Sequence, residues 1–103
     1  MDYRLHYFSQ KCLQIAMLFE TNVAYAYRPF SAVHCIQVES ELEKNEEFIN
    51  YFAELTEEFY SYIAENALLI KEHITYVTPH SLVPISFSEA ELYYAKPKKL
   101  CHE

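Results

Sequence analysis

The chain of 103 residues has no glycine, although average usage of about seven per cent would place roughly seven in it. Glycine enters positive φ freely, so tight hairpins and many helix C-caps depend on it. Helices tolerate its absence best, and the few turns are expected to use Asn, Pro, Ser or His. The absence also excludes the standard forms of the phosphate-binding P-loop, the dinucleotide fingerprint and the nucleophile elbow.

Paired cysteine motifs are absent, because the three cysteines are widely spaced. Cys12, Cys35 and Cys101 lie far apart and include no Cys-x-x-Cys sequence. An odd number of separated thiols indicates a reducing compartment, so a cytoplasmic location is predicted. Long apolar runs are absent as well: no stretch approaches the roughly eighteen residues of a membrane span, and no membrane association is expected.

Basic residues are few, with 8 Lys and Arg against 15 Asp and Glu, which gives a net charge of −7. Nine of the 15 acidic residues lie between Glu39 and Glu65, where Lys44 is the only basic residue. This field repels phosphates, so direct nucleic-acid binding is not expected, and it favours a partner protein with a basic surface. The alternative is that these residues form an ordinary solvated helix face.

The apolar residues, 51% of the chain, are most regularly spaced between residues 40 and 74. Steps of three, four and seven place one row along a single side of a helix, formed by Ile49, Phe52, Phe59, Ile63, Ile70 and Ile74. An adjoining row contains Phe48, Tyr51, Leu55 and Tyr62. Ser40 with Glu43 resembles a capping box, so a helix is predicted over about 40–73, with Asn45 and Asn66 as the positions for a kink or break.

Two further helices are predicted on either side of this one. The first covers about 3–27 and ends at Arg28-Pro29, because apolar residues recur in helical steps at Leu5, Phe8, Cys12, Ile15, Phe19 and Val23. Alternating residues at 1–8 and 23–27 also allow two strands that flank a shorter helix over 9–20. Ser88 with Glu91 predicts a second capping box and a short C-terminal helix over 88–95.

β-Branched and aromatic residues predict a small sheet from residues 32–39, 74–78 and 82–87, in which Pro84 confines the last segment to an edge. The predicted fold is therefore α+β and helix-dominated, in a single domain over residues 1–103. An all-α bundle is the alternative. Residues 97–103, which include Lys98 and Lys99, are predicted to form a mobile basic tail.

Arg28 is followed six residues later by His34. This pair is similar to the Arg and His, four to six residues apart, of HEPN-type ribonucleases. In that family the pair lies on a helix of a four-helix bundle, whereas here Pro29 follows Arg28 and His34 falls on a predicted strand. The resemblance implies a small nuclease, or a metal-dependent one, as the enzymatic alternative.

Four residues have side chains that zinc accepts: His73, His80, Cys101 and His102. Their spacing fits no standard zinc finger. A histidine that complements a helix C-terminus, a turn histidine and two tail residues account for them more simply. No catalytic residue, metal or cofactor is therefore predicted.

The predicted function is a non-enzymatic protein-binding module, comparable to immunity proteins or phage antagonists, that inhibits or regulates a partner by covering its basic surface. Tyrosine suits such a surface because it buries a large area at low rotamer cost and keeps a hydroxyl. A structural homo-oligomer, such as a homodimer that pairs the aromatic rows across a two-fold axis, is a further alternative. The predicted partner-binding residues are Glu43, Glu47, Tyr51, Glu54, Glu57, Glu58, Tyr62 and Glu65.

Overall fold

The computed structural model describes residues 3–65 and 71–96, which form two α-helices and one four-stranded sheet. In chain order the elements are α1 (Tyr3–Leu18), β1 (Val23–Arg28), β2 (Val33–Gln37), a 3₁₀ helix (Ser40–Lys44), α2 (Glu46–Glu65), β3 (His73–Val77) and β4 (Leu92–Tyr94). The α+β class is confirmed, as are strands within the predicted segments 32–39 and 74–78. The all-α alternative is wrong.

The strands are ordered β3-β2-β1-β4 across the sheet. β1 and β2 form an antiparallel hairpin, and β4 pairs antiparallel with the other side of β1. β3 runs parallel to β2, because α2 connects the two strands as a crossover. Side chains alternate between the two faces of a strand, so one face of the sheet packs against both helices and is called the helix face.

The main core lies between the helix face and the two helices. α1 contributes Phe8, Cys12 and Ile15, as its spacing predicted. On α2 the buried row is Phe48, Phe52, Leu55 and Phe59, whereas Ile49 is exposed and Ile63 is only partly buried. The apolar stripe of α2 is thus rotated toward the second predicted row, because the ring of Phe48 packs edge-on against the rings of Phe19 and Tyr76.

α1 ends at Leu18, so the predicted helix over 3–27 is wrong in its last third. The Thr21 N–H donates to the carbonyl of Ala16 at 3.3 Å while Glu20 adopts a φ of 48°, which is the arrangement of a Schellman C-cap. Residues 23–28 then form β1, whose first four residues are all buried. The alternative with a strand at 23–27 is right for that segment and wrong for residues 3–8, which belong to α1, while residues 1 and 2 lie outside the described residues.

The predicted helix over 40–73 is broken at Asn45, which confirms one of the two predicted positions for a break, and it is wrong at its C-terminal end, where β3 begins at His73. Asn45 has an extended backbone, and its Oδ1 accepts the N–H of Phe48 at 3.0 Å, so Asn45 caps α2 and separates it from the 3₁₀ helix. The predicted capping box is not formed, because the Glu43 carboxylate accepts the hydroxyl of Thr78 at 2.6 Å. α2 extends to Glu65, and β3 begins at His73. Asn66 and Ile70 lie outside the described residues.

Residues 78–91 cross the second face of the sheet and are called the strap. Ile85 is buried there against Ala24, Ala26 and Cys35, and its N–H donates to the Gln37 side chain at 2.7 Å. The predicted strand over 82–87 is wrong, because the Ile85 N–H bonds to the Gln37 side chain and these residues form no backbone pairing with a strand. The helix over 88–95 is wrong as well, because β4 pairs with β1 over Leu92–Tyr94. The predicted tail, 97–103, lies outside the described residues.

Candidate partner-binding site

The predicted binding residues lie on α2 and on the 3₁₀ helix before it. All the predicted glutamates of α2 are exposed and together form what we call the acidic ridge: Glu47, Glu54, Glu57, Glu58 and Glu65. Tyr51 and Tyr62 are half-buried and pack against the main core at the margin of this ridge. Glu43 is exposed but is held on a separate element by its bond to Thr78.

A cleft of about 140 Å³ lies between α1 and α2, beside the acidic ridge. Glu54 and Glu58 both line it, because residues four apart lie on the same side of a helix. Tyr51 lines it as well, and its hydroxyl donates to Gln14 Oε1 on α1 at 3.1 Å. The structure thus brings three of the predicted residues to one point, whereas Glu57 lies on α2 outside the cleft.

The cleft already accommodates one cation from within the chain. Lys11 of α1 has a side chain that is only 16% exposed, and its ammonium pairs with the Glu58 carboxylate. The same ammonium lies 5.4 Å from the ring centre of Tyr7, within cation–π range. Glu54 forms no ion pair with any residue in the described part of the chain. Lys11 therefore neutralises the carboxylate of Glu58, and the carboxylate of Glu54 is available to a cation from outside the chain.

Two tyrosines near the carboxylates of the cleft, Tyr51 in its lining and Tyr7 bonded to Glu58, stay protonated near neutral pH. Burial raises the pKa of Tyr7 well above its ordinary value of 10.0, and the Glu58 carboxylate, which accepts its hydroxyl at 3.2 Å, raises it further. Burial, followed by the charge of Glu58, also raises the pKa of Tyr51. Both hydroxyls therefore remain hydrogen-bond donors and add no negative charge to the site.

A buried chain of polar side chains crosses the sheet on its helix face. The Tyr25 hydroxyl is 2.7 Å from Nδ1 of His34, and Nε2 of His34 is 2.6 Å from the Glu72 carboxylate. These residues are 0%, 0% and 4% exposed. One tautomer of a neutral imidazole fits both contacts: Nε2–H donates to the carboxylate, and Nδ1 accepts from the tyrosine.

Aromatic rings enclose this polar chain on both sides. The ring of His34 stacks on Phe8 of α1 at 4.6 Å, and Phe59 of α2 lies edge-on at 5.2 Å. Tyr27 of β1 packs beside the imidazole at 4.7 Å. Because His34 has no solvent-exposed surface, no dissolved substrate reaches it in this conformation. The polar chain instead connects β1, β2 and the residue before β3 through hydrogen bonds.

Arg28 and His34 lie on opposite faces of the sheet. Arg28 pairs in register with Val33 and bonds to the strap, whereas His34 points into the helix-face core. The HEPN-like arrangement, with both residues on one helix, is not formed. Within residues 3–65 and 71–96 no group of three or more His, Cys, Asp or Glu side chains could hold a metal ion, and Cys101 and His102 lie outside that part.

The sequence drew attention to His34 through its spacing from Arg28, which does not bring the two side chains together. It did not indicate the contacts of His34 with Tyr25 and Glu72. Tyr25 and His34 face inward on their strands, two residues from other inward-facing residues: Val23, Tyr27 and Ile36. This period-two pattern is the signal that could have paired them. Glu72 gave no such signal, because a glutamate between Lys71 and His73 reads as a surface residue.

The helices within the described residues include none that is both long and apolar enough to cross a membrane. No protein-family model matches this chain, and neither the curated proteins nor the solved structures include a significant match.

Proposed function

We propose that this chain is a non-enzymatic protein-binding module that inhibits or regulates a partner by covering a basic surface with its acidic ridge. The cleft between α1 and α2 carries this proposal, because Glu54, Glu58 and Tyr51 converge there around a space that suits a cationic side chain. A partner Lys or Arg would meet the free carboxylate of Glu54 and the hydroxyl of Tyr51. Charge-assisted hydrogen bonds of this kind are roughly twice as strong as neutral ones.

Glu54 and Glu58 belong to both the ridge and the cleft, but the ridge as a charged surface and the cleft as a pocket have different roles in this proposal. Exposed ion pairs contribute only about 0–1 kcal/mol each, so the ridge alone supplies little affinity. Its clustered negative charge instead accelerates encounter with a basic surface. The cleft supplies the partly desolvated anchor, where a cation loses water and gains specific partners. Affinity therefore depends on the cleft and association rate on the ridge.

The test is affinity capture from a lysate of the source cells, followed by mass spectrometry. Glu54→Lys combined with Glu57→Lys reverses two exposed charges and leaves the pair between Lys11 and Glu58 intact. The matched control is Glu41→Lys with Glu46→Lys, which changes net charge equally at exposed positions outside the cleft. Circular dichroism verifies that each variant folds.

We expect the wild type and the control to capture the same basic protein, and the Glu54/Glu57 variant to lose it. Capture should weaken as salt rises from about 50 to 300 mM, because salt screens exposed charges. Equal capture by all three proteins would exclude the proposed surface. Loss of capture by both variants would show that net charge alone matters and would exclude the cleft as the anchor.

Lys11→Met tests the cleft separately. Removing the internal ammonium frees the Glu58 carboxylate for the partner, while the methionine keeps most of the apolar stem that packs between the helices. We expect the dissociation constant for the captured partner to fall by about three- to tenfold, measured by titration calorimetry. A weaker complex would mean that Lys11 itself contacts the partner.

A further inference from the structure

The strap leaves large apolar side chains on the surface beside β4. Phe87 is 88% exposed and Tyr93 is 55% exposed, and their ring centres lie 6.3 Å apart. Both rings line a cleft of about 150 Å³ whose floor includes Ala24 of β1. Adjacent exposed aromatic rings over small floor residues are typical of interaction surfaces.

β4 is the outermost strand on this side of the sheet. It pairs with β1 along one side, and no strand in residues 3–65 or 71–96 pairs with its other side. An open edge presents unpaired N–H and C=O groups that can accept another strand. Tyr93, the middle residue of β4, faces the second side of the sheet with Phe87, so the open edge and the exposed rings lie together.

The charges around this edge favour a second copy of the chain. A net charge of −7 opposes self-association wherever acidic ridges approach each other, but the ridge lies in the helix layer, beyond the sheet from the strap. Arg28 and Glu89 in the strap neutralise each other. Lys96, which follows β4, lies 3.7 Å from the Glu39 carboxylate, and Glu91, which precedes β4, accepts the N–H of Tyr27 at 3.0 Å. Because Arg28 and Lys96 are both paired within the chain, the edge offers little net charge to a charged partner and little repulsion to a second copy.

We propose that the outer edge of β4, with Phe87 and Tyr93, forms a homodimer interface across a two-fold axis beside Tyr93. Such a contact is isologous, because the same strand and the same rings supply both halves. The two sheets become continuous, and each Tyr93 ring packs against its counterpart and against Phe87. The proposal does not depend on the function proposed above, because the acidic ridge remains exposed on both copies.

Sedimentation under reducing conditions tests this interface. At about 100 µM we expect the wild type to sediment as a species of twice the 12.2 kDa chain mass. Phe87→Ser with Tyr93→Lys removes the rings and places two like charges opposite each other, and should weaken dimerisation at least about tenfold. Lys96→Glu should also weaken it, because it replaces the cation beside Glu39 with a further acid near this edge and makes the two copies repel each other.

The matched control is Met17→Ser with Leu18→Lys, which alters two residues of α1 that are 62% and 63% exposed. It should leave the dimer intact. A wild type that stays monomeric up to about 500 µM would overturn the proposal. So would a dimer that the control breaks, or one that survives the Phe87 and Tyr93 changes. A monomer that needs Phe87 and Tyr93 to capture another protein would assign this surface to that partner instead.

Discussion

Two residues adopt the left-handed conformation that glycine would normally occupy. Glu20 at the C-cap of α1 has a φ of 48°, and Ala32, the last residue of the β1–β2 turn, has a φ of 55°. The side-chain Cβ opposes this conformation by about 1–2 kcal/mol. The turns were expected to recruit Asn, Pro, Ser or His in place of glycine, yet a glutamate and an alanine occupy these two positions.

Ala32→Gly should therefore stabilise the protein by about 0.5–1 kcal/mol, after allowance for the greater freedom of glycine in the unfolded chain. Urea unfolding measures the difference. Ala53→Gly is the matched control: it makes the same change at an exposed position inside α2 and should destabilise by about 1 kcal/mol. Loss of stability in both variants would mean that the turn does not strain residue 32.

The buried polar chain makes a second prediction at the residue scale. His34→Phe keeps a ring between Phe8 and Phe59 but removes a hydrogen-bond partner from both Tyr25 and Glu72, so we expect a loss of at least about 2 kcal/mol. A double-mutant cycle with Glu72→Gln should give a coupling above about 0.5 kcal/mol. Additive effects of the two changes would mean that the contact contributes little to stability.

At the scale of elements, the strap is held by a clamp at Arg28. Its guanidinium bonds to the Glu89 carboxylate at 2.7 Å and to the carbonyl of Pro84 at 3.1 Å. The bond from Arg28 holds the pKa of Glu89 below its ordinary value of 4.5. A carboxyl with a lowered folded-state pKa adds stability above its ordinary pKa, and this contribution disappears as the pH falls through the folded-state value.

Glu89→Gln should therefore be less stable than the wild type at pH 7 by a few tenths to about 1 kcal/mol, since the pair is near the surface. The difference should shrink below pH 4.5 and vanish in stronger acid. Unfolding curves of both proteins across this range supply the measurement. A difference that stays constant with pH would assign the effect to packing and not to charge.

The elements predicted best were those with a single dominant pattern. The cores of α1 and α2 follow helical spacing, and β2 and β3 follow their β-branched and aromatic content. Asn45 was predicted as a break in the long helix but not as its cap. The capping box predicted at Ser40 is not formed because Glu43 accepts a long-range hydrogen bond from Thr78, and Asn45 caps α2 in its place. Near the C-terminus, pairing with β1 outweighed a local capping box, because a strand there covers an otherwise open edge of β1.

At the scale of the whole molecule, the sequence predicted the exposure of the acidic ridge but not the cleft. The ridge residues can be identified from the polar side of a helical wheel, which depends only on spacing along α2 and not on the elements that pack against it. The cleft depends on how α1 crosses α2, and therefore on Lys11 and Gln14, which no local pattern connects with Glu58. The binding role of these residues stays a prediction that the charge-reversal variants address.

The order of the strands sets the order in which the sheet can assemble. The central strands β1 and β2 are neighbours in the chain, β3 joins after α2, and β4 reaches β1 from the far end. Short loops close faster than long ones, so we expect amides of the β1–β2 hairpin to be protected before those of β4 in pulsed hydrogen-exchange refolding. Simultaneous protection of all four strands would contradict this order. During synthesis, the outer side of β1 has no partner strand until residues 92–94 have left the ribosome. The sheet is therefore complete only when its last strand has been made.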